Sequence, residues 1–328
     1  MNYDILTIGG VMRDIIFLTK EGQVIDTPEN PLQTKLIGFE LGAKVYVDKV
    51  YFEPGGGACN TAVGFSKLGL KSIMMGRIGE DREGQQLLKK LKQNRIGTKL
   101  IQIDKKNSTG FSFILGLKKV KRAHVILAYR GANDALSFKI KKQDLKGLPW
   151  LYLSSLSLPA WEDFLNHVFS LTDSQTKIAW NPSNVQLKAG FKKINKYLKK
   201  TSVLILNEDE ARELVLSRKK VKDLKVKNLL KELSFMGPQI VVITCGKKGA
   251  QAYANKFYYQ GPAPAKVINT TGAGDSFSSG FVSSLFYHPE DIKKALKWGV
   301  FNSASVISQI GAQKGFLNKK QISQVIKK

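Results

Sequence analysis

Short apolar runs recur along the chain, and longer segments whose apolar residues follow helical spacing separate them. A run of about four to eight apolar residues is typical of a strand buried on both faces, and the segment that leads to the next parallel strand is usually a helix. The runs that predict parallel strands are Ile5–Ile8, Lys71–Gly76, Pro149–Ser154, Lys177–Trp180, Val203–Leu206 and Ile240–Thr244. This alternation predicts an α/β fold in which a mostly parallel central sheet lies between layers of helices.

Other stretches alternate between apolar and polar residues and predict antiparallel strands. Ser108–Leu117 and His124–Tyr129 form such a pair around the basic turn Lys118–Arg122, and further strands are predicted after Arg13 and at Ala43–Phe52. These segments, about 14–53 and 108–130, predict a small β-sheet lid inserted in a single domain that spans residues 1–328. The last part of the chain predicts a strand pair and three helices, at Ala250–Ala254, Phe257–Gln260, Gly274–Phe286, Pro289–Ile307 and Asn318–Ile326.

The composition adds a strong positive charge. The 328 residues include 52 Lys and Arg against 26 Asp and Glu, which gives a formal net charge of +26. A dedicated nucleic-acid face would gather cations and aromatic residues into one stripe, whereas here the lysines are spread in pairs along the whole chain. A basic nucleic-acid-binding protein on an enzyme scaffold is the alternative from a different class. Its mark would be retention on DNA or RNA that falls steeply with salt.

Several classes of protein are disfavoured by what the chain lacks. No apolar run reaches the roughly 18 residues of a membrane span, and the N-terminal residues read as a first strand rather than a signal peptide. The two cysteines, Cys59 and Cys245, lie far apart and suit a reducing compartment, so we expect a cytoplasmic protein. The three histidines form no zinc-binding pattern. The chemistry must therefore rest on carboxylates, amides and glycines.

A glycine turn opens the first of the three closing helices. Asn269-Thr270-Thr271-Gly272-Ala273-Gly274-Asp275 leads into a segment in which Phe277, Phe281 and Leu285 share one helical face. The glycines let N–H groups converge at a helix N-terminus, where the dipole favours an anion. If that anion is a phosphoryl group in transit, Asp275 can take a proton from the attacking hydroxyl group. A glycine turn with an aspartate cap on a buried helix is the structural alternative.

Polar residues also follow two of the early strands. Asp14 comes just beyond the first strand, where α/β sheets place ligand contacts. The run Pro54-Gly55-Gly56-Gly57 precedes a helix whose first turn carries Asn60, which offers a donor and an acceptor to vicinal hydroxyl groups. Turn or cap roles explain the same residues. Asp81 is interpreted as the cap of the following helix, Gln85–Gln93.

Two later strands end in stretches that suit phosphate or a nucleotide. Asn207-Glu208-Asp209-Glu210 opens a helix with three carboxylates in its first turn, which either the helix dipole or a metal-linked water shell around a phosphate explains. The glycines of Cys245-Gly246-Lys247-Lys248-Gly249 suit a loop against a flat base. Neither the P-loop pattern nor the protein-kinase signatures H-R-D and D-F-G occur in the chain.

In their order, these motifs resemble those of the ribokinase-like sugar kinases of the phosphofructokinase-B family, over roughly Tyr3 to Gly315. The stretch from Thr271 to Asp275, with Phe277 and Gly280, is similar to the C-terminal signature of that family. The N-terminal signature is matched by Gly55, Gly56, Asn60, Gly76, Gly79, Glu80, Asp81 and Gly84. The Asn-x-x-Glu element and the nucleotide loop are matched by Asn207, Glu210, Thr244, Gly246 and Gly249.

The resemblance implies a role for each of these positions. Asp275 would be the general base, and the anion hole for the γ-phosphoryl group of ATP would be formed by Gly272, Ala273 and Gly274. The substrate would be held by Asp14, Gly55, Gly56 and Asn60. The nucleotide would be contacted by Asn207, Thr244, Gly246, Gly249 and Asn302, while Glu210 would organise Mg²⁺ through water.

We therefore expect an ATP- and Mg²⁺-dependent phosphotransferase that acts on a primary hydroxyl group of a sugar or sugar derivative. Two departures from the family pattern bear on the substrate: Asn269 replaces a common Asp, and Ser154–Ser157 offers only hydroxyl groups where ribokinase proper has an acidic residue. The stretch from Gly55 to Ala62 is similar to nucleoside-phosphorylating members, so a nucleoside is the alternative acceptor. Open strands at the lid edge favour pairing with a second copy and predict a homodimer.

Overall fold

The computed structural model describes residues 3–26, 35–118, 124–156 and 158–326. The strands within these ranges are β1 (Ile5–Ile8), β2 (Met12–Thr19), β3 (Gln23–Asp26), β4 (Lys35–Gly38), β5 (Lys49–Gly55), β6 (Ser72–Gly79), β7 (Gly97–Asp104), β8 (Gly110–Leu117), β9 (His124–Tyr129), β10 (Trp150–Leu153), β11 (Lys177–Trp180), β12 (Val203–Asn207), β13 (Ile240–Thr244), β14 (Ala250–Ala254) and β15 (Lys256–Gln260). The α-helices are α1 (Gly57–Lys67), α2 (Arg82–Gln93), α3 (Lys142–Leu145), α4 (Trp161–Leu171), α5 (Asn184–Ala189), α6 (Phe191–Leu198), α7 (Glu208–Arg218), α8 (Val226–Ser234), α9 (Ala273–Tyr287), α10 (Ile292–Val306) and α11 (Lys319–Val325). Short 3-10 helices lie at Gly131–Ala135 and Gly246–Lys248.

The central sheet has nine strands in the described part of the chain, in the order β15-β14-β13-β12-β11-β10-β1-β6-β7. The strands from β13 to β7 pair in parallel, whereas β14 pairs antiparallel with both β13 and β15. Parallel pairs need a crossover connection, and the helical segments of the sequence supply it. The predicted α/β fold with a mostly parallel sheet is confirmed.

Apolar side chains leave alternate sides of each central strand and build two cores. Leu6 and Ile8 of β1 pack with residues of α4, α6, α7 and α8, whereas Ile5 belongs to the core formed with α1, α9 and α10. Because both faces are covered, every residue of β1 and β10 is buried. This double burial is the physical reason that the parallel strands read as unbroken apolar runs in the sequence.

The parallel strands end at one edge of the sheet, and this edge carries most of the predicted site residues. Asn207 at the end of β12 is the register partner of Thr244 at the end of β13. The neighbouring strands β1 and β10 end side by side at Ile8 and Leu153. In open α/β sheets, ligands bind outside the carboxyl ends of the strands.

A second sheet, here called the lid sheet, has the strand order β5-β2-β8-β9 within the described ranges. Strand β2 is antiparallel to β5 and parallel to β8, and β8 is antiparallel to β9. The last pairing confirms the predicted antiparallel pair, although the turn predicted at Lys118–Arg122 lies, from residue 119 onward, outside the described residues. Strands β3 and β4 form a separate antiparallel pair.

Some strand boundaries differ from the sequence prediction. The strand predicted at Ala43–Phe52 begins only at Lys49 and continues to Gly55, because its pairing with β2 extends that far. The prediction missed the edge strand β7. Lys99 and Gln102 interrupt its apolar residues, so the sequence shows no apolar run there.

The helix boundaries differ from the sequence prediction mainly at the first turn of each helix. Helix α2 begins at Arg82 rather than Gln85, because Asp81 is its N-cap and accepts a hydrogen bond from the Gly84 N–H. The predicted cap role of Asp81 is thereby confirmed. Helix α10 begins at Ile292, where Asp291 accepts a hydrogen bond from the Lys294 N–H.

Candidate active site

Helix α9 begins at the predicted glycine turn. Gly272 is the N-cap, and its φ of 76° lies in the left-handed region that favours glycine. A Cβ at Gly272 would lie 2.6 Å from the Cβ of Ala312, so packing also requires glycine there. Since glycine has no side chain with which to cap the helix, the N–H groups of the first turn have no side-chain acceptor.

Not every N–H group of the predicted anion hole is available to an anion. The Ala273 N–H donates to the Thr270 carbonyl oxygen at 3.2 Å, so it is occupied within the turn. Gly274 and Asp275 follow in the first turn, where a helix offers no carbonyl acceptor. A Cβ at Gly274 would meet nothing within 4 Å. The donors best placed for an anion are therefore the N–H groups of Gly274 and Asp275, while Gly272 shapes the turn.

Asp275 is held by a residue from a distant part of the chain. The Asn60 Nδ2 donates to Asp275 Oδ2 at 2.8 Å, and the Asn60 Oδ1 accepts a hydrogen bond of 3.0 Å from the Gln313 Nε2. The other carboxylate oxygen, Asp275 Oδ1, would lie 3.4 Å from a Cβ built on Gly57. One oxygen of Asp275 is thus fixed by an amide, and the other faces the glycine turn before α1.

Burial raises the pKa of Asp275 to about 6, the hydrogen bond from Asn60 opposes this rise, and the charge of Asp14 adds to it. A carboxyl group with this pKa is mostly ionised at neutral pH, yet it binds a proton far more readily than an ordinary aspartate. Both properties suit a group that accepts a proton during catalysis.

Asp14 lies on β2, on the face of the lid sheet that is turned toward the site. Its Oδ1 accepts a hydrogen bond of 2.5 Å from the Ser112 hydroxyl group of the adjacent strand β8. Burial raises the pKa of Asp14, the Ser112 hydrogen bond lowers it, and the charge of Glu53 raises it. A Cβ on Gly55 would lie 2.2 to 2.4 Å from the Asp14 carboxylate atoms. The absence of a side chain at Gly55 thus makes room for Asp14, and the predicted contact of Gly55 with substrate stays a prediction.

A cleft of about 340 Å³, here called the α9 cleft, runs along the start of α9. Thr244, Gly246 and Gly249 line one side of it, and Ala273 and Gly274 line another. Apolar side chains complete the wall, from Val267, Phe277, Val300 and Ile307. The structure thus brings the residues of the predicted nucleotide loop next to the predicted anion hole, across a surface that suits a flat base.

Asn207 and Glu210 form a reciprocal cap at the start of α7. The Asn207 Oδ1 accepts from the N–H groups of Asp209 and Glu210 at 2.9 Å each, and Glu210 Oε2 accepts from the Asn207 N–H at 2.8 Å. Burial raises the pKa of Glu210, the Asn207 N–H lowers it, and the charges of Asp209 and Glu213 raise it. The cap fixes Glu210 at the same sheet edge as Thr244. Its role toward Mg²⁺ stays a prediction.

Asn302 does not reach the α9 cleft, and its predicted contact with the nucleotide is corrected. It is fully buried, its Nδ2 donates to the Ser276 carbonyl oxygen at 2.7 Å, and its Oδ1 accepts from the Leu317 N–H at 3.1 Å. The cleft is lined instead by the next two residues of α10, Ser303 and Ala304. Asn302 ties α10 to α9 and to the following loop.

A second cavity, of about 250 Å³ and here called the lid cavity, lies between the sheet edge and the lid sheet. Four glycines, Gly9, Gly10, Gly56 and Gly57, line it, and the role of Gly56 toward substrate stays a prediction. The remaining lining residues are Met12, Ala128, Arg130, Asn133, Asp134, Leu136, Ser155, Leu156 and Leu158. The lid cavity and the α9 cleft approach each other at Asp275. Gly57, which lines the lid cavity, lies next to Asp275 Oδ1, and Gly274, which precedes Asp275, lines the α9 cleft.

Several residues of this site were not predicted from the sequence. Asn133 fixes the turn after β1: its Oδ1 accepts from the Val11 N–H and its Nδ2 donates to the Val11 carbonyl oxygen, both at 2.9 Å. Ser112 and Gln313 were missed as well. None of these residues belongs to a glycine motif, and each reaches its partner only through the fold, so the sequence alone carries no local signal for them.

Comparison with solved structures identifies the fold. The fold matches Arabidopsis thaliana ribokinase complexed with ribose and ATP, with a TM-score of 0.78, 18% identity and 100% coverage of both chains. It also matches the nucleoside kinase of Methanocaldococcus jannaschii, with a TM-score of 0.76 and 19% identity over 99% of this chain and 98% of that one. The fold is that of the ribokinase-like kinases.

The sequence comparisons give the family. The model for the pfkB family carbohydrate kinases matches residues 24–319, and the chain belongs to this family. An uncharacterized sugar kinase of Archaeoglobus fulgidus is 26% identical over 77% of this chain and 98% of that protein. Bacillus subtilis ribokinase is 24% identical over 83% of this chain and 87% of that protein. The protein is a sugar or nucleoside kinase, a phosphotransferase with an alcohol group as acceptor.

Among the helices of the described residues, none combines the length and the apolar character that crossing a bilayer requires.

Proposed function

We propose that this kinase transfers the γ-phosphoryl group of ATP to a primary hydroxyl group of a sugar or sugar derivative. The observation that supports the proposal most directly is the position of Asp275 between the two cavities. Its neighbour Gly274 lines the α9 cleft, and Gly57, which approaches Asp275 Oδ1, lines the lid cavity. With ATP in the cleft and the acceptor in the lid cavity, the hydroxyl group and the γ-phosphorus would meet beside Asp275.

The proposed step moves one proton and one phosphoryl group. Asp275 Oδ1 takes the proton of the acceptor hydroxyl group as its oxygen forms a bond to the γ-phosphorus. The bond between that phosphorus and the bridging oxygen breaks, and ADP leaves with the electron pair. Charge on the transferred group is stabilised by the N–H groups of Gly274 and Asp275 and by the dipole of α9. Asn60 keeps the Asp275 carboxylate in place throughout.

Mg²⁺ is part of the proposal, and Glu210 fits a role beside it, because its Oε2 alone is used in the cap of α7. No group of three or more His, Cys, Asp and Glu side chains that could hold a metal occurs among the residues described. Mg²⁺ usually keeps several waters and takes few protein ligands beside substrate phosphates. Glu210 would contact such a water shell through the carboxylate oxygen that does not cap α7. The ion would neutralise phosphate charge during transfer.

A kinase assay with a matched aspartate control tests this proposal. Asp275→Asn removes the base and should lower kcat by about 10²- to 10⁴-fold, the usual contribution of a general base. ATP binding, measured by calorimetry, should change little, because the α9 cleft is lined by other residues. Asp173→Asn, in an exposed loop, is the control and should keep full activity. An unchanged kcat in Asp275→Asn would exclude Asp275 as the base.

A nucleoside acceptor is the second candidate, and the wall of the lid cavity favours it. Five apolar side chains line the cavity, from Met12, Ala128, Leu136, Leu156 and Leu158. The amide of Asn133 is engaged with the Val11 backbone at both its oxygen and its nitrogen. The flat apolar faces of a base would pack against these five side chains, while Asp134 and Ser155 of the same lining offer polar groups to the hydroxyl groups of the attached sugar.

A substrate panel separates the two acceptor classes. ATP consumption would be followed with ribose, fructose, fructose phosphates and 2-keto-3-deoxygluconate, and with adenosine, cytidine and inosine, each with and without Mg²⁺. Higher kcat/KM for a nucleoside would favour the second candidate. Higher kcat/KM for a sugar would favour the first, and turnover without Mg²⁺ would contradict the proposed role of the ion.

We also propose that the protein forms a homodimer through the outer face of the lid sheet. In the register of the four strands, the face opposite to Asp14 carries Arg13, which pairs with Glu83 of α2, and a group of apolar side chains that includes Ile15, Phe17, Val50, Phe52, Phe111, Phe113, Leu115, Val125, Leu127 and Tyr129. Phe52, Leu127 and Tyr129 are 57%, 65% and 46% exposed. A contiguous apolar face of this kind marks an interaction surface, and two copies related by a two-fold axis would cover it at once.

The dimer is tested by light scattering after size-exclusion chromatography. Leu127→Asp places a charge in the middle of the proposed interface and should give a monomer. Leu41→Asp is the matched control, since Leu41 is 99% exposed and lies outside the lid sheet. A wild-type protein that is monomeric at micromolar concentration would contradict the proposal.

A further inference from the structure

Two amide side chains connect Asp275 to the loop between α10 and α11. The Gln313 Nε2 donates both to Asn60 Oδ1 at 3.0 Å and to Cys59 Sγ at 3.2 Å. The Asn60 Nδ2 donates in turn to Asp275 Oδ2 at 2.8 Å. Asn60 is buried, so it has no water with which to replace these partners. The carboxylate of Asp275 therefore stands at the end of a continuous line of hydrogen bonds that starts at Gln313.

The direction of these hydrogen bonds fixes how each amide is turned. An amide group has a donor end and an acceptor end, so it fits between a donor and an acceptor in one orientation only. Gln313 presents its NH₂ group to the oxygen of Asn60, which leaves the NH₂ group of Asn60 for Asp275. If Asn60 were turned by half a revolution about its Cβ–Cγ bond, its oxygen would face the carboxylate and repel the ionised form.

The loop that carries Gln313 is itself held by the lid sheet. Lys314 Nζ pairs with Glu53 Oε1 at 2.5 Å, and Glu53 lies on β5 as the register partner of Asp14. The side chain of Glu53 also covers Gly311, where an added Cβ would lie 2.8 Å from the Glu53 Cγ. Residues on both sides of Gln313 thus contact the lid strand, which holds the Gln313 side chain at Asn60.

We propose that Gln313 is a positioning residue of this kinase, which fixes the orientation of the Asn60 amide and through it that of Asp275. The proposal rests on the proposed function of Asp275. Gln313 lines neither the α9 cleft nor the lid cavity, and it contacts the Asn60 oxygen rather than Asp275, so we expect it to touch neither the acceptor nor the nucleotide. Its effect is carried by the hydrogen bond that Asn60 donates.

The pKa of Asp275 reports this effect independently of turnover. A hydrogen bond to a charged group is stronger than one between neutral groups, so its loss shifts a pKa by about one to two units. Gln313→Glu can only accept from Asn60, so it should draw the NH₂ group of Asn60 away from Asp275. The pKa of Asp275 should then rise by about one to two units. Gln313→Met removes the hydrogen bonds without adding charge, so the pKa should rise by less.

The experiment is a ¹³C NMR titration of the intact protein labelled at aspartate carboxyl groups, with Asp275 assigned by the signal lost in Asp275→Asn. The titratable groups coupled to Asp275 are Asp14 from β2, Cys59 from α1 and Tyr152 from β10. Of these three, only the Asp14 carboxyl group gives a further signal in this label. Gln309→Glu, an exposed change in the same loop, is the matched control for added charge and should leave the pKa of Asp275 unchanged. Thermal melting confirms that each variant is folded.

A double-mutant cycle separates orientation from charge. In combination with Asn60→Leu, Gln313→Glu should shift the pKa of Asp275 by much less than it does alone, because the amide through which it acts is gone. An equal shift with and without Asn60→Leu, or no shift in either Gln313 variant, would overturn the proposal. The titration does not depend on an active enzyme, so a failed search for an acceptor would count against the proposed function only.

Discussion

The rise of activity with pH on the acid side of the pH profile, here called the acid limb, should shift in opposite directions in Asn60→Leu and Asp14→Asn. Both residues are neighbours of Asp275. The hydrogen bond from Asn60 lowers the pKa of Asp275, and the charge of Asp14 raises it, with burial setting the value of about 6. The direction in which the pKa of Asp275 shifts follows from these two effects. Asn60→Leu removes a group that stabilises the ionised carboxylate, so the pKa rises, whereas Asp14→Asn removes a charge that opposes ionisation, so the pKa falls.

The size of the first shift follows from the geometry. The hydrogen bond from Asn60 Nδ2 to Asp275 Oδ2 is 2.8 Å long and buried. Its loss should cost the ionised form about 1.5–3 kcal/mol, which raises the pKa by about one to two units at about 1.4 kcal/mol per unit. The limb should move from near pH 6 to about pH 7–8. For Asp14→Asn only the direction is predicted: without the Asp14 charge, the pKa of Asp275 should fall.

The assay is the pH dependence of kcat/KM with saturating ATP, which reports groups of the free enzyme. Both residues are proposed to hold the acceptor, so the height of each profile will fall. The position of the limb is the informative quantity, because a change in acceptor affinity alone does not move it. Asn195→Leu, on α6 across the central sheet, is the control and should leave both height and position unchanged. A limb that stays in place in Asn60→Leu, or moves upward in Asp14→Asn, would refute this electrostatic account of Asp275.

Two further predictions concern packing and the lid. On α9, Gly280→Ala should lower the free energy of unfolding by about 1–3 kcal/mol, because its Cβ would lie 2.7 Å from the Trp298 carbonyl oxygen. Gly274→Ala on the same helix meets no atom within 4 Å, so it should keep the stability but lose turnover as its methyl group enters the α9 cleft; denaturant unfolding and kinase assays would reveal the contrast, and equal destabilisation would contradict it. Glu53→Gln should lower the pKa of Asp14, whose rise is partly due to the Glu53 charge, and an NMR titration in which that pKa does not fall would show that this coupling is negligible.

Much of the fold could be predicted because its causes are local. The central strands are buried on both faces, so the sequences of β1, β10 and β13 are apolar runs between helical segments. The glycine turn before α9 and the cap at Asp81 are local in the same way. The edge strand β7 escaped prediction because most of its residues are only partly buried, and polar and apolar residues are mixed along it.

The candidate site could be predicted only as separate pieces, because its decisive contacts join residues that are distant in the chain. Asn60 and Asp275 are 215 positions apart, and Glu53 and Lys314 are 261 apart. A pattern of residues can indicate that an asparagine suits a hydroxyl group, but not that its amide is turned by Gln313 toward a carboxylate.

Gly55 and Asn302 show why a motif does not by itself assign binding roles to its residues. Gly55 and Asn302 each lie one position away from the surface that binds: Gly55 precedes Gly56, which lines the lid cavity, and Asn302 precedes Ser303, which lines the α9 cleft. Along a strand the next side chain points to the opposite face, and along a helix it lies about 100° away. A motif gives the position of a site to within a helical turn or a pair of strands. Whether a residue in it binds a ligand or packs in the interior depends on which face the fold leaves open. For Gly55 that face is filled by Asp14, and for Asn302 it is filled by α9, so their chemistry serves the structure that holds Asp275.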